Sequence, residues 1–350
     1  METPLKEEHI RAGATLAEYS GCLLPESFSG FDEEYVAARE TVGIFDTNWH
    51  TVIALAGPDR VRYLNAITSN NIQTLAEGSG ILALLLNPQG HILAELEVYN
   101  PPEKLLVLTH ASVRERTVAA LDKYIIMDDV ELEDLTDQVG SFAIEGPRAA
   151  SIVKQICAIA LDELPEMAVR ETAVERIPCQ LLRRSHFGET GAEILARRDR
   201  LHFLWGKFNE AIRAHGGQPI GILALNSLRL EAGIPWFPVD FDDRVIPHEA
   251  ALEDTHISFT KGCYTGQEIV ERVRSQGRVN RRRARLQFST KIAPPRGTKL
   301  TAAGAEMGAV TSAAFSPSAG AAIGMGYVRR ESGEPGSALE FDGGAARVVS

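Results

Sequence analysis

One pattern occurs twice in this chain: an apolar strand, a Gly-Pro turn and an amphipathic helix. The first copy is Leu55-Ala56-Gly57-Pro58-Asp59-Arg60-Val61-Arg62-Tyr63-Leu64, and the second is Ile144-Glu145-Gly146-Pro147-Arg148-Ala149-Ala150-Ser151-Ile152-Val153. Proline is tolerated in a first helical turn because it has no N–H to lose there, and glycine just before it permits the tight turn. Two copies point to a duplicated strand–turn–helix unit; the alternative is coincidence, since the arrangement is common. The first copy leads into apolar runs at Ile81–Leu86 and Ile92–Tyr99. The turn residues Asn87-Pro88-Gln89-Gly90 join them, which predicts a β-hairpin. A strand at Leu105–Thr109 and a helix over Ser112–Tyr124 follow. The second copy leads into strands at Gln180–Arg184 and Ala192–Ala196 and helices over Arg200–His215 and Asn226–Ala232. Strands mixed with helices in both halves predict an α+β body.

The pattern changes near residues 278–284, where helical periodicity stops and Gly and Pro become frequent. Arg285–Gln287, Gly308–Ser312, Ala321–Val328 and Ala338–Phe341 read as strands of a small β-barrel or sandwich. The expected division is a duplicated α+β body over 1–280, its first lobe discontinuous, and a β-barrel domain over 281–350.

The most unusual segment is Lys261-Gly262-Cys263-Tyr264-Thr265-Gly266-Gln267-Glu268. A thiol close to a lysine and to a helix start at Thr265 or Gly266 is expected to be nucleophilic or to ligate a soft metal; the alternative is a buried, inert cysteine in a tight turn. Arg272, Arg274, Arg278, Arg281, Arg282, Arg283 and Arg285 follow at once, in a chain of net charge -11. They read either as a site for an anionic partner or as a solvated face paired with local acids. No aromatics interleave with them, so base stacking is not expected. Glu95, in an otherwise apolar strand, and Glu189, in the turn His186–Gly191, are candidate pocket carboxylates; on an alternating strand Glu95 could equally face solvent.

Several chemistries find no support. The four cysteines, Cys22, Cys157, Cys179 and Cys263, form no CxxC pair, and the nine histidines show no HxxxH spacing, so neither a dedicated zinc site nor a local cysteine-only iron–sulfur motif is expected. Phosphate loops and a nucleophile elbow are absent. The N-terminus has no apolar signal-peptide core, and the apolar runs fall far short of the roughly 20 residues of a membrane span. A cytoplasmic monomer, with neither membrane nor nucleic acid as a default partner, is expected.

Residues Lys261–Glu268 resemble the KGCYxGQE signature of YgfZ-type folate-binding relatives in the glycine-cleavage T-protein (aminomethyltransferase) superfamily, the branch that maintains iron–sulfur enzymes. Val42–Asp46, Leu86–Leu96, Gly188–Glu193, Leu228–Ala232 and Gly308–Pro317 resemble further family segments in order. The resemblance implies a three-lobed, clover-leaf folate-binding body with a C-terminal small β-barrel and tetrahydrofolate, or a one-carbon-substituted form, in the central hole. It implies Glu189 gripping the pterin and Phe187 in place of a site tyrosine. Glu95 falls at the second of two aspartates, the catalytic one, with Ala94 at the first, and Leu225 falls where transferases carry arginine. Tyr264, Arg229 and Arg272 are implied as further folate contacts, Arg272 toward a polyglutamate tail, and Cys263 with Lys261 as the reactive loop. The implied function is tetrahydrofolate-dependent support of iron–sulfur cluster assembly or repair, with iron–sulfur client enzymes as partners. The alternatives are a tetrahydrofolate-dependent aminomethyl- or methyltransferase, and an RNA or protein docking module through Arg272–Arg285.

Overall fold

The computed structural model describes residues 1–350. Both repeated segments form the expected unit: strand His50–Ala56 with helix Arg60–Ile67, and strand Val139–Glu145 with helix Ala149–Cys157. Gly57 turns with φ +95°, and a Cβ there would lie 2.3 Å from the Asp129 carbonyl, so only glycine fits. The two copies lie in different sheets.

The first lobe is an antiparallel five-stranded sheet in the order Gly80–Leu86, Ile92–Tyr99, Leu105–His110, His50–Ala56, Glu131–Asp134. Alternation along Ile92–Tyr99 assigns its two faces. Ile92, Ala94, Leu96 and Val98 enter a core with Tyr63, Leu64 and residues from Phe237 to Val270. Leu93, Glu95, Glu97 and Tyr99 take the opposite face, so two carboxylates stand side by side. The second lobe is a six-stranded sheet in the order Val169–Val174, Ile177–Leu182, Gly191–Arg197, Val139–Glu145, Gly43–Asp46, Gln218–Pro219, with only the last pair parallel. Helices Ala149–Cys157 and Arg198–Ala214 cover one face through Ile152, Val153, Leu204, Trp205 and Phe208. Its other face meets the first sheet: Val52, Tyr99, Leu106 and Leu108 pack with Val169, Leu182 and Leu195.

The third lobe is a closed six-stranded barrel running from Arg281 to Val348, with Leu286, Phe288, Leu300, Val310, Val328 and Val348 inside. The mixed α/β body with this barrel is the expected fold class. A register shift between Val310 and Ser312 marks a bulge, and Thr311 and Ser312 both turn their hydroxyls to Asp240 (2.6 and 2.5 Å). No helix is long and apolar enough to cross a membrane.

Candidate functional site: a cavity between the three lobes

A cavity of about 460 Å³ opens where the lobes meet, within the roughly 300–1,000 Å³ of small-molecule sites. Its walls come from Trp49 and His50, Glu95 and Glu97, Leu108–His110, Arg184 and His186, the Ile234–Phe237 turn and the barrel residues Arg296 and Thr311–Ala313. Trp49 and Trp236 lie 6.2 Å apart between ring centroids and supply flat apolar surface.

Glu95 reaches this cavity, and His256 Nε2 donates to its Oε1 (2.9 Å). No hydrogen bond engages the other oxygen. Glu97, two residues on, is tied to Arg184 (2.9 Å). Burial opposes ionisation of Glu97, but Arg184 and His50 outweigh it and hold the carboxyl below its ordinary value. Glu193 lies behind the wall, fully buried, on the face of the second sheet that meets the first lobe. It accepts from His50 Nδ1 (3.1 Å) and the Thr47 hydroxyl (3.0 Å). Burial disfavours its charge, yet His50 and His186 pull its pKa well below the ordinary carboxylate value. Trp49 Nε1 donates to His50 Nε2 (3.0 Å), which requires a lone pair there and favours the neutral Nδ1–H tautomer. That hydrogen bond opposes Glu193, whose charge pulls His50 toward protonation against the effect of burial. His186 Nε2 and Glu193 Oε2, 3.5 Å apart, are both buried without a hydrogen-bond partner.

The remaining expected site residues lie elsewhere. Glu189 does not line the cavity: its side chain faces Arg39 (3.5 Å). The turn that carries it is anchored by the buried Glu145 carboxylate, which accepts from the backbone N–H groups of His186, Phe187 and Glu189. That anchoring sends His186 inward and Glu189 outward. Phe187 is fully buried in a core with Phe45 and Leu228, one layer behind the wall. Arg229 is also fully buried, paired with Asp240, its guanidinium 4.7 Å from the Trp236 ring centroid. It supports Trp236 and, through Asn226, a second wall residue, without reaching the cavity.

Residues 261–264 do not reach it either. Lys261 spends its ammonium on the carbonyls of Asn65, Thr68 and Asn70 at the end of helix Arg60–Ile67, and burial lowers its pKa to about 8. Its charge therefore serves a helix C-terminus. Tyr264 packs into the first-lobe core with its hydroxyl unpartnered. Cys263 is exposed, contrary to the buried alternative. Gly266, at φ +84°, lets the loop pack on the hairpin turn: a Cβ there would sit 2.6 Å from the Asn87 carbonyl. Helix Gln267–Gln276 follows, and its Arg272 is exposed and paired with Glu268 (2.6 Å).

The arginine run is largely satisfied within the protein. Arg274 pairs with Glu271, Arg281 with Glu249 and Arg282 with Glu253, while Arg283 and Arg285 donate to the carbonyls of Ala250 and Glu231. Only Arg278 of the seven has no such partner, so the solvated, acid-paired alternative describes this stretch.

Sequence reasoning missed His50, Glu97, Arg184, His186, Glu193 and Trp236. The strand alternation that exposes Glu95 also exposes Glu97, and the apolar parity of Ala192, Ile194 and Ala196 singles out Glu193 as facing the other way.

Residues 5–261 match the GCVT N-terminal domain, and residues 281–349 match the glycine cleavage T-protein C-terminal barrel domain. The chain is 31% identical over 345 residues to the aminomethyltransferase of Bacteroides fragilis, covering 97% of this chain and 94% of that one. Against the aminomethyltransferase of Rubrobacter xylanophilus it is 29% identical, covering 94% and 87%. The crystal structure of glycine cleavage system aminomethyltransferase T from Bartonella henselae superposes with a TM-score of 0.91 at 25% identity, covering 100% of this chain and 97% of that one.

Proposed function

We propose that this chain, which belongs to the glycine cleavage T-protein family, is a tetrahydrofolate-dependent one-carbon transferase of the aminomethyltransferase type. The observation that carries the reading is Glu95: a carboxylate in the cavity wall, fixed through one oxygen by His256 and free at the other. The residues present fit a reduced pteridine. The tryptophan faces suit a flat ring, and the cavity wall sets the polar groups of His50, Glu95, Arg184 and His186 around it.

Tetrahydrofolate, when bound, supplies the nitrogens between which a one-carbon unit is carried. Glu95 takes up or returns a proton at its free oxygen, and His256 holds that carboxylate in one rotamer. Trp49 and Trp236 exclude water from the ring faces, and buried Arg229 holds Trp236 in place. The longer stem of Glu95, where the resemblance places an aspartate, moves the carboxylate along the wall and makes its fixing by His256 the more important. Glu95→Gln keeps the acceptor for His256 and removes the proton-accepting oxygen. Transfer from an aminomethyl donor should fall about 100-fold or more, with tetrahydrofolate affinity unchanged. Undiminished turnover would refute the role.

A second reading, support of iron–sulfur enzymes through the cysteine loop, is favoured by the contrast among the thiols. Burial pushes Cys22, Cys157 and Cys179 up to about 11, about 12 and about 11, whereas Cys263 alone is exposed. In this reading client enzymes meet the loop on the outer surface while folate occupies the cavity. Cys263→Ser should then abolish iron–sulfur enzyme support in cells without altering folate binding; full rescue by the variant would remove the thiol from the function.

A further inference from the structure

The acid pairing of the arginine run ends at Arg282. Alternation along strand Arg281–Phe288 sends Ala284, Leu286 and Phe288 into the barrel and turns Arg283 and Arg285 outward, toward the body. Arg283 donates through Nε to the Ala250 carbonyl (2.8 Å) and through Nη1 to the Met325 sulfur (3.3 Å), and Arg285 donates through Nη2 to the Glu231 carbonyl (2.8 Å). No carboxylate lies within ion-pair distance of either. Gly233 clears a place for the second guanidinium: a Cβ there would lie 3.2 Å from Arg285 Cζ, Nε and Nη1. Both arginines line a cleft of about 560 Å³ between the body and the barrel, which shares no residue with the cavity between the three lobes. Arg330, exposed in the same cleft, makes no hydrogen bond through its side chain and no ion pair.

The local charge selects the ligand class. The lining guanidinium groups are those of Arg281, Arg282, Arg283, Arg285 and Arg330. Glu249 pairs with Arg281 and Glu253 with Arg282. The other lining acids are Glu334 and the Ser350 carboxylate; the latter accepts from the Arg285 backbone N–H (2.7 Å), and neither forms an ion pair. Behind the wall, Arg229 cancels Asp240 and Arg39 cancels Glu231. A single positive charge remains, in a chain of net charge -11. Burial lowers the pKa of Arg283, and Arg229 and Arg282 add to this against the pull of Asp240, so its charge is held there at a cost. A carboxylate brings two oxygens and fills one guanidinium fork, whereas a phosphate group presents its oxygens to several forks at once. No aromatic side chain lines the cleft for a base to stack on, so the phosphate is the part recognised. We propose that this cleft is a second binding site, which takes a phosphate-bearing anion held by Arg283, Arg285 and Arg330.

Calorimetric titration of the full chain with inorganic pyrophosphate should show one saturable site, with tri-glutamate binding at least about tenfold more weakly. Arg330→Gln removes an exposed group that holds nothing else in place. It should weaken pyrophosphate about tenfold and leave tetrahydrofolate affinity unchanged. R283Q/R285Q should abolish saturable binding; a melting curve on each variant checks that it is folded, and R330Q decides the matter if the double variant is not. Arg272→Gln, whose arginine pairs with Glu268 outside the cleft, should change nothing. Anisotropy titration with a labelled oligouridylate of about 12 nucleotides separates the two sources of phosphate. An affinity more than about tenfold above that of pyrophosphate, falling steeply with salt, assigns the site to a nucleic-acid backbone; an affinity within about tenfold assigns it to a small phosphate compound. No saturable binding of either probe, equal losses in R272Q and R330Q, or tri-glutamate binding as tightly as pyrophosphate would overturn the inference. So would a loss of tetrahydrofolate affinity in R330Q, because the cleft would then serve the folate.

Discussion

Removing Arg229 perturbs the cavity from behind. Its guanidinium and the Asp240 carboxylate are both fully buried. Asp240 also accepts from Trp236 N (3.0 Å) and from the Thr311 and Ser312 hydroxyls on the barrel bulge, so the pair joins the body to the barrel. Arg229→Met strands the carboxylate with neutral donors only, and breaking one side of a buried pair costs about 3–5 kcal/mol. Loss of the cation beneath the Trp236 ring adds about 1 kcal/mol. Asp240→Asn should cost a similar 3–5 kcal/mol by stranding the guanidinium, whereas the double variant strands neither charge and should cost only about 2 kcal/mol. A urea-denaturation cycle over the four proteins should therefore give a coupling energy of at least about 2 kcal/mol. Tetrahydrofolate affinity should fall about tenfold in the single Arg229→Met variant, because Trp236 and Asn226 lose their support. Additive single costs, or an Arg229→Met variant as stable as a surface substitution, would refute the reasoning.

Glu193→Gln should destabilise the protein by on the order of 2 kcal/mol at pH 7, the value of hydrogen bonds to a buried charge. Glu193 has a folded pKa below the ordinary 4.5, so its contribution is present above about pH 4.5 and is lost as pH falls through the lower folded value. The gap between wild type and variant, read from urea midpoints, should accordingly close as pH drops below 4.5; a constant gap would contradict this. His110, half-buried in the cavity wall, is held neutral, since desolvation and His50 lower its pKa to about 4. Its unfolded form charges first on acidification, so the wild type should lose stability between about pH 6.5 and 4 that His110→Asn does not lose. Lys261→Met leaves three carbonyls without their shared donor and should cost about 1–3 kcal/mol with little change in tetrahydrofolate affinity. A large affinity loss with normal stability would return Lys261 to the site.

The fold was legible because its signals are local. The two Gly-Pro turns, the Asn87–Gly90 hairpin and the apolar periods of the long helices each follow from neighbouring residues. Strands Lys299–Ala302 and Gly344–Val348 were missed because they are short and half exposed, and only barrel closure stabilises them. The site was legible in part. Glu95 stands out as a charge in an apolar strand, but Glu189 and Glu193 lie four residues apart, and only the parity of Gly191–Arg197 tells which turns inward. Phe187 and Arg229 were placed one layer too far forward. Residue type does not reveal which side of a wall a side chain takes when that wall forms between lobes distant in sequence. The most specific motif, Lys261–Glu268, lies outside the cavity: its lysine caps a helix and its tyrosine fills a core.

Fluorescence tests the central claim most directly. Of the three tryptophans, Trp49 and Trp236 line the cavity and Trp205 is buried in the second-lobe core. Anaerobic titration with tetrahydrofolate should quench emission saturably with one molecule bound per chain, and the quench should vanish in W49F/W236F. Absence of a saturable quench in the wild type, or equal quenching in the double variant, would place the folate elsewhere and contradict the account.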